Sequence, residues 1–489
     1  MQPIPMTKPM FAWDALEDSP SVRTVAEFLK LLPDEELLDA LRRHRGRGRN
    51  QYPVRVLWGV VLMSIVLRHP GIESCLGELR RNKDLRGLLG LLHEHEVPKK
   101  WNVSRFLDTL GSLPYRDLMR EVFNQLAQRL GGAVKDLGER TAGDSMALSA
   151  RAPRGKEEGA ASAEGRPPAE GRPPAEGKDA APTKDGAAPE AKAAEREKLT
   201  EDGLPLPSGG HKEYTDEKEK VVKVLQWFGY KLHLLVCAKH EVALAFAFTG
   251  AGDNDGLTLP PLVEQAKANL PAGRIQSLAY DKAADSGDVH TLLAQENIKA
   301  LIQNRSLWKD ELERKLPGDD ASTPIVYDEA GTLFCYDTVS ATPVRRQMAF
   351  IGHEQARGTI KYRCPAMHYG LPCASLEKCN KGRTYGLTKR VPCAWDYRRW
   401  PRIPRSTKLF ERLYKGRTAV ERVNGRMRML WGADDGNLGG PKHFVAMVQA
   451  ILIVHLGLAT LLARTGRTGS LGGLHLTPVA KALRAQGQK

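Results

Sequence analysis

Four polar side chains in the segment ERLYKGRTAVERVNGRMRML (411–430) fall on one side of any helix it forms. At about 100° per residue, Tyr414, Arg417, Glu421 and Arg428 share an arc of roughly 60°. A phenol and two guanidiniums can hold phosphate oxygens, the guanidiniums as bidentate forks. The carboxylate between them has two readings. Arg417 and Glu421 pair at i,i+4 on a solvated face, or Glu421 reaches a metal ion beside a polyanion.

Two upstream carboxylates bear on that choice. Asp144 in AGDSMALSA and Asp281 in AYDKAADSGDVH each stand where a strand-like run ends. Strand ends are where open α/β sheets project side chains into a crevice. Carboxylates that meet there repel, and a divalent cation removes the penalty. Hard oxygen ligands select Mg²⁺ or Mn²⁺. Taken singly, an Asp at a strand end is also an ordinary turn or N-cap residue, and Asp285 or Asp288 could cap the helix that follows Asp281.

The elements that must position these residues can be traced along the chain. Residues 22–131 carry helical periodicity, as in VAEFLKLLPDEELLDALRRH and the more apolar PVRVLWGVVLMSIVLRHPG between Pro53 and Pro70. The basic loop RRHRGRGRN between them suits phosphate contact or plain solvation. Strand-like runs follow at 139–150, in LQWFGYKLHLLVCAKH and in VALAFAFTG. A helix at 257–269, the strand-to-helix run RIQSLAYDKAAD and the strand IKALIQNR come next. The order is strand, strand, strand, helix, strand, helix, strand, which predicts a mixed α/β sheet.

Residues 151–212 repeat AEGRPP and hold almost no large apolar side chains, so they predict a disordered linker inserted after the first strand. Short strands broken by Gly, Pro and Cys predict a β-rich insertion at 309–408. The expected division is therefore an all-α, DNA-binding region at 1–135 and an α/β core from 136–150, 213–308 and 409–470. The linker and the insertion interrupt that core, and a tail occupies 471–489. The apolar run Phe444–Ala463 has the length of a membrane span; a buried core helix is the preferred reading.

Composition narrows the class. The 489 residues carry a formal net charge of +15 with 41% hydrophobic residues, as expected of a globular protein with a polyanionic partner. Residues 381–428 hold fifteen Lys or Arg against Asp396, Glu411 and Glu421, interleaved with Trp395, Tyr397 and Trp400. Aromatics among arginines suit unstacked DNA ends. The amino terminus lacks the pattern of a secretory signal, so a cytosolic location without disulfides is expected. Of seven cysteines, Cys364, Cys373, Cys379 and Cys393 could bind one structural Zn²⁺, with Cys335 and His368 nearby. They could equally pack as small hydrophobes.

The spacing Tyr414, Arg417, Glu421, Arg428 resembles the Y-R-E-K signature of IS4-type DDE transposases, with Arg428 where the signature has Lys. AYDKAADSGDVHTLL and AGDSMALSA are similar to the segments around that family's other two catalytic carboxylates. YPVRVLWGVVLMSIVLRHPGIESCLGELRRNKDLRGLLG and VPKKWNVSRFL are similar to the helical region often preceding them. The resemblance implies an RNase H-like catalytic domain with a β-rich insertion ahead of the glutamate helix. It implies a two-metal mechanism with Asp144, Asp281 and Glu421 holding Mg²⁺ and Tyr414, Arg417 and Arg428 holding DNA phosphate. It further implies double-stranded DNA as partner, both transposon ends and target. A homodimer in the synaptic complex is expected, with no membrane and with nucleoid association when DNA is bound. Trp308, Trp395 and Trp400 are candidates to hold a flipped base. Two other functions fit the same residues: a catalytically silent DNA-binding protein and a structure-specific nuclease.

Overall fold

In the computed structural model, residues 20–46, 51–151, 199–215, 221–253, 255–309, 312–320, 322–434 and 439–472 are described. Part of the basic loop (47–50), most of the expected linker (152–198) and nearly all of the tail (473–489) lie outside them.

Seven helices build the amino-terminal layer: α1 Pro20–Leu31, α2 Glu35–Arg45, α3 Val54–Val66, α4 Ile72–Arg81, α5 Lys83–Leu88, α6 Lys100–Leu110 and α7 Tyr115–Ala133. Pro33 separates α1 from α2, as a ring without an N–H must inside a helical run. Every residue of α3 except Arg55 is buried, so it is the central helix of the layer.

The sheet comprises β1 Arg140–Ser149, β2 Ser208–Thr215, β3 Val221–Cys237, β4 Ala243–Gly250, β5 Ser277–Tyr280 and β6 Lys299–Ile302. β3, β1, β5 and β6 are consecutive neighbours, and β4 and β2 both pair with β3. β1, β5 and β6 run parallel, whereas β3 is antiparallel to β1 and β4. The helices α8 Leu259–Asn269 and α9 Gly287–Gln295 make the crossovers that parallel neighbours require.

β2 corrects the sequence reading. Residues 208–212, assigned to the linker, pair with the outer half of β3. Ser208, Gly209 and Gly210 read as linker because they are small and polar, yet an edge strand is held by its backbone ladder and needs little apolar surface of its own.

Residues after β6 form two three-stranded antiparallel sheets. The first holds β7 Ile325–Tyr327, β8 Leu333–Tyr336 and β9 Arg345–Gln347. The second holds β10 Ala349–Glu354, β11 Thr359–Arg363 and β12 Thr388–Pro392, with the short helices α10 Pro365–Tyr369 and α11 Leu376–Asn380 between β11 and β12. Ile325, Tyr327, Leu333, Ile360, Tyr362 and Trp400 belong to a small core of their own, separate from the main one. The chain then returns to the main body as α12 Lys408–Tyr414, a 3₁₀ turn at Lys415–Arg417, α13 Thr418–Trp431 and α14 Pro441–Arg464.

α14 is long and apolar enough to cross a membrane by length and composition, and it is almost wholly buried. It packs against α7, α6, α3 and α1 and touches β4. Phe444 stacks on Tyr230 of β3 with ring centroids 4.0 Å apart. Each fully buried Leu, Ile or Phe on such a helix contributes on the order of 2 kcal/mol of transfer free energy. α14 therefore welds the helical layer to the sheet.

Candidate active site

β1 and β5 pair in parallel with Ala142 opposite Ala279. Two residues further along each chain stand Asp144 and Asp281. Side chains alternate along a strand, so a step of two on both keeps the pair side by side on one face. Asp281 directly follows β5, as the sequence suggests. Asp144 does not end its strand: it lies in the middle of β1, which continues to Ser149 because β3 pairs with it that far. The carboxylate is at an edge all the same, because β5 has stopped there.

Gly143 and Tyr280 explain how closely the two strands approach. A Cβ at Gly143 would run into the Tyr280 ring. Tyr280 is fully buried and immediately precedes Asp281, so the missing side chain at 143 seats the residue that aims the second carboxylate. Backbone amides orient both acids. Ser145 N donates to Asp144 Oδ1 at 2.9 Å, and Ala283 N donates to Asp281 Oδ1.

The third carboxylate arrives on α13. Val420, Val423 and Met427 are buried, and the helix packs on β1 and β3. Tyr414 and Arg417 do not share that helix. Tyr414 ends α12 and Arg417 ends the 3₁₀ turn, so the uniform 100° step fails between them and Glu421. The tighter turn still leaves the groups together. Arg417 Nη2 donates to Glu421 Oε1 at 2.7 Å and Nη1 reaches Asp144 Oδ2 at 3.4 Å.

The electrostatics place the remaining members around the same guanidinium. Burial pushes Arg417 down, but Asp144, Glu421, Tyr414 and Asp281 outweigh it and hold the group above its ordinary pKa. Burial is the main cause lifting the Tyr414 phenol, with Asp281 and Asp144 adding to it and Arg417 opposing. Three carboxylates thus converge on one cationic side chain. Glu421 does pair with Arg417, and the same guanidinium reaches Asp144.

Arg428 is elsewhere. It lies on the Glu421 side of α13 two turns on, donates to the Ala147 carbonyl of β1 and stands 3.6 Å from Asp434. It fastens the helix to the strand that carries Asp144. Among the described residues, no three His, Cys, Asp or Glu side chains are gathered closely enough to hold a metal as they lie. The donor set at Asp144, Asp281 and Glu421 still suits a hard divalent cation by type, and Arg417 supplies the positive charge that these acids demand.

Several functional contacts had no clear sequence signal. Asp285, considered above only as a cap, is buried and accepts from Arg398 Nε, Arg405 Nη2 and Arg305 N, each within 2.9 Å. His290 Nε2 lies 2.9 Å from its other flank. Burial pushes the carboxyl up, and these partners outweigh it to hold the group below its ordinary value. This cluster pins the exit of the insertion three residues before α12 begins. Glu241, at the β3–β4 turn, binds Arg426 at 2.6 Å and also Arg422, so it anchors the outer side of α13.

These pairs revise the view of 381–428 as a free basic surface. Arg390, Arg398, Arg399, Arg405, Arg417, Arg422 and Arg426 all face internal carboxylates. Of the tryptophans, Trp400 is buried in the insertion core, Arg314 lies 4.1 Å over the half-buried Trp308, and Trp395 is 44% exposed. Cys393, in the 3₁₀ turn Cys393–Trp395 directly after β12, packs in the insertion core with Tyr362 and Val391.

Residues 200–456 match the model of the transposase DDE domain family. The chain belongs to that family. The matched range includes Asp281, Tyr414, Arg417 and Glu421 and begins after Asp144, on the far side of residues 152–198. No curated protein matches the chain. The transposase domain, by this range, comprises β2 to β6, the two insertion sheets, and α12 to most of α14.

Proposed function

We propose that the protein is a DNA transposase of RNase H-like fold that binds the terminal inverted repeats of its element and cuts and joins strands at Asp144, Asp281 and Glu421. The observation that carries this reading is the pairing of Arg417 with both Asp144 and Glu421, with Asp281 following the parallel neighbour of the Asp144 strand, within a member of the transposase DDE domain family. The sheet order supports the fold assignment: an antiparallel hairpin beside three parallel strands, with acids on the first and on its parallel neighbour.

Asp144, Asp281 and Glu421 would hold divalent cations such as Mg²⁺, which when bound supply activation of the attacking hydroxyl and neutralise charge at the phosphate. The remaining steps belong to the chain. With the acids otherwise neutralised, the Arg417 fork turns from Glu421 to a phosphate oxygen. Tyr414 stays protonated, because burial and the two aspartates raise its pKa, so its hydroxyl donates to the same phosphate group. Arg428 keeps β1 against α13 and thereby fixes the gap between Asp144 and Glu421.

The deciding experiment incubates wild type, Glu421→Gln and Asp281→Asn with Mg²⁺ and a labelled duplex carrying the sequence that borders the coding segment. Both variants are expected to lose at least about 100-fold in strand cleavage, as removal of a charge-stabilising group does, while binding the duplex. Cleavage by Glu421→Gln at the wild-type rate would sink the assignment. Binding without nicking by wild type would point to the silent DNA-binding protein, and nicking without joining to a nuclease.

A further inference from the structure

The insertion turns a basic face outward that neither its own core nor the carboxylate site explains. Residues 354–390 hold eight Lys or Arg against two acids, Glu354 and Glu377. Alternation along β11 sorts them. Ile360 and Tyr362 are buried in the insertion core, and Lys361 and Arg363 stand on the opposite face. Across the ladder, Lys361 is directly opposite Arg390 of β12. Like charges so placed weaken a sheet. Glu354 of β10 answers Arg390 at 2.7 Å and lies 3.6 Å from Arg357. Among the described residues, no ion pair joins Lys361, Arg363, Lys381 or Arg383 to an acid.

Arg363 is held in one orientation. Its Cζ lies 4.1 Å over the Tyr385 ring, and its Nε donates to the Tyr385 carbonyl at 2.6 Å. Stacking and the Nε bond fix the plane of the guanidinium and leave its two Nη groups for an outside acceptor. Lys361 Nζ stands 5.0 Å from the centre of the same ring. Tyr385 remains 46% exposed with these two cations over it.

The loop that brings Tyr385 is pinned along its length. Lys381 N donates to the Glu377 carbonyl at 3.0 Å, and Arg383 N donates to the Asn380 carbonyl at 3.0 Å. Leu387 N donates to Asn380 Oδ1 at 2.9 Å, and Asn380 is itself buried. Gly386 has φ +89°, and a Cβ there would press on Met367. Residues 381–385 are all exposed, so Lys381 and Arg383 reach solvent from a fixed backbone. Cations held together by a rigid frame repel in the free protein, and a polyanion outside removes that cost.

We propose that this face grips the phosphate backbone of duplex DNA without regard to sequence, with Arg363 as a fixed fork and Lys361, Lys381 and Arg383 as point contacts. A planar guanidinium matches two phosphate oxygens at once. Phosphates carry no base information, so such a grip positions the duplex and does not read it. A duplex presents a charge about every 1.7 Å of its axis, which several cations on one sheet and its adjoining loop can meet together. The proposal rests on the transposase reading above and adds a place on the insertion where the duplex is held, separate from Arg417.

The test titrates full-length protein against labelled duplexes, one with the border sequence and one scrambled, by anisotropy without Mg²⁺ over a range of salt. Lys381→Ala combined with Arg383→Ala should weaken binding to both duplexes about tenfold and lower the slope of log affinity against log salt by about two. Arg363→Lys keeps the charge and loses the fork, so it should weaken binding to both with little change in slope. Lys239→Ala combined with Lys267→Ala removes the same charge from the α/β core and should leave both readings near wild type. Wild-type affinity and slope in the Lys381→Ala, Arg383→Ala protein would overturn the proposal. So would equal losses in the two double variants, or a loss confined to the border sequence. Binding is read without cleavage, so a failed grip leaves the carboxylate assignment standing, and a failed nicking assay leaves the grip standing.

Discussion

At the scale of single residues, the pairing of Arg417 with Glu421 was legible from spacing, while the detail that aims the two aspartates was not. The i,i+4 relation of Arg417 and Glu421 depends only on helical geometry near one turn. It survived the 3₁₀ break between Tyr414 and α13. A shared helix face says nothing about how far along the axis a side chain reaches, and two turns on Arg428 meets β1. Gly143 was invisible because its role is an absence of atoms. Gly143→Ala should destabilise the protein by about 1–3 kcal/mol, the usual range for overpacking, and should displace Tyr280 and with it Asp281. Thermal unfolding and Mg²⁺-dependent nicking measure the two effects. Unchanged nicking at a lowered melting temperature would separate Gly143 from the site.

At the scale of elements, the strand–helix order was readable because apolar periodicity survives in β1, β3, β4, β5 and β6. β2 was not, since its stability comes from backbone pairing with β3. Nor could the anchoring of α12 be read, because Asp285 and Arg405 lie 120 positions apart. Asp285→Ala leaves two buried guanidiniums facing each other, so a loss of about 3–5 kcal/mol is expected. Trypsin should then cut within 309–408 at concentrations that spare wild type, and an unchanged digestion pattern would refute the anchoring role. α14 carries a pH dependence. His455 Nε2 accepts from Ala243 N at 2.9 Å. Burial, with Arg426 adding, pushes His455 from 6.5 to about 3. The unfolded chain therefore binds a proton that the folded chain refuses. The stabilisation is complete above about pH 6.5 and is lost as pH falls toward the folded value, at about 1.4 kcal/mol per pH unit. His455→Gln keeps an acceptor for Ala243 and removes the titration. Its denaturation midpoint should fall less than that of wild type between pH 7 and pH 5.

At the scale of the whole molecule, a net charge of +15 announced a polyanion but overstated the surface free to meet one. Eight arginines of the 381–428 stretch face carboxylates of the same chain among the described residues. DNA affinity should therefore fall with salt less steeply than fifteen phosphate contacts would demand, given roughly 0.9 released counterions per neutralised phosphate. Anisotropy titrations across salt concentrations give the slope directly, and a slope matching all fifteen would show that the internal pairs open on binding. The contact between Arg417 and Asp144 spans 273 positions of sequence. Closing so long a loop comes late in folding. Asp144 and Asp281 are synthesised hundreds of residues and scores of residues, respectively, before α13 and α14 can dock. A chain interrupted between residues 409 and 420 carries both aspartates and the entire insertion, and still lacks the third carboxylate. The order of the chain itself thus withholds the proposed catalytic centre from every copy that stops short of Glu421.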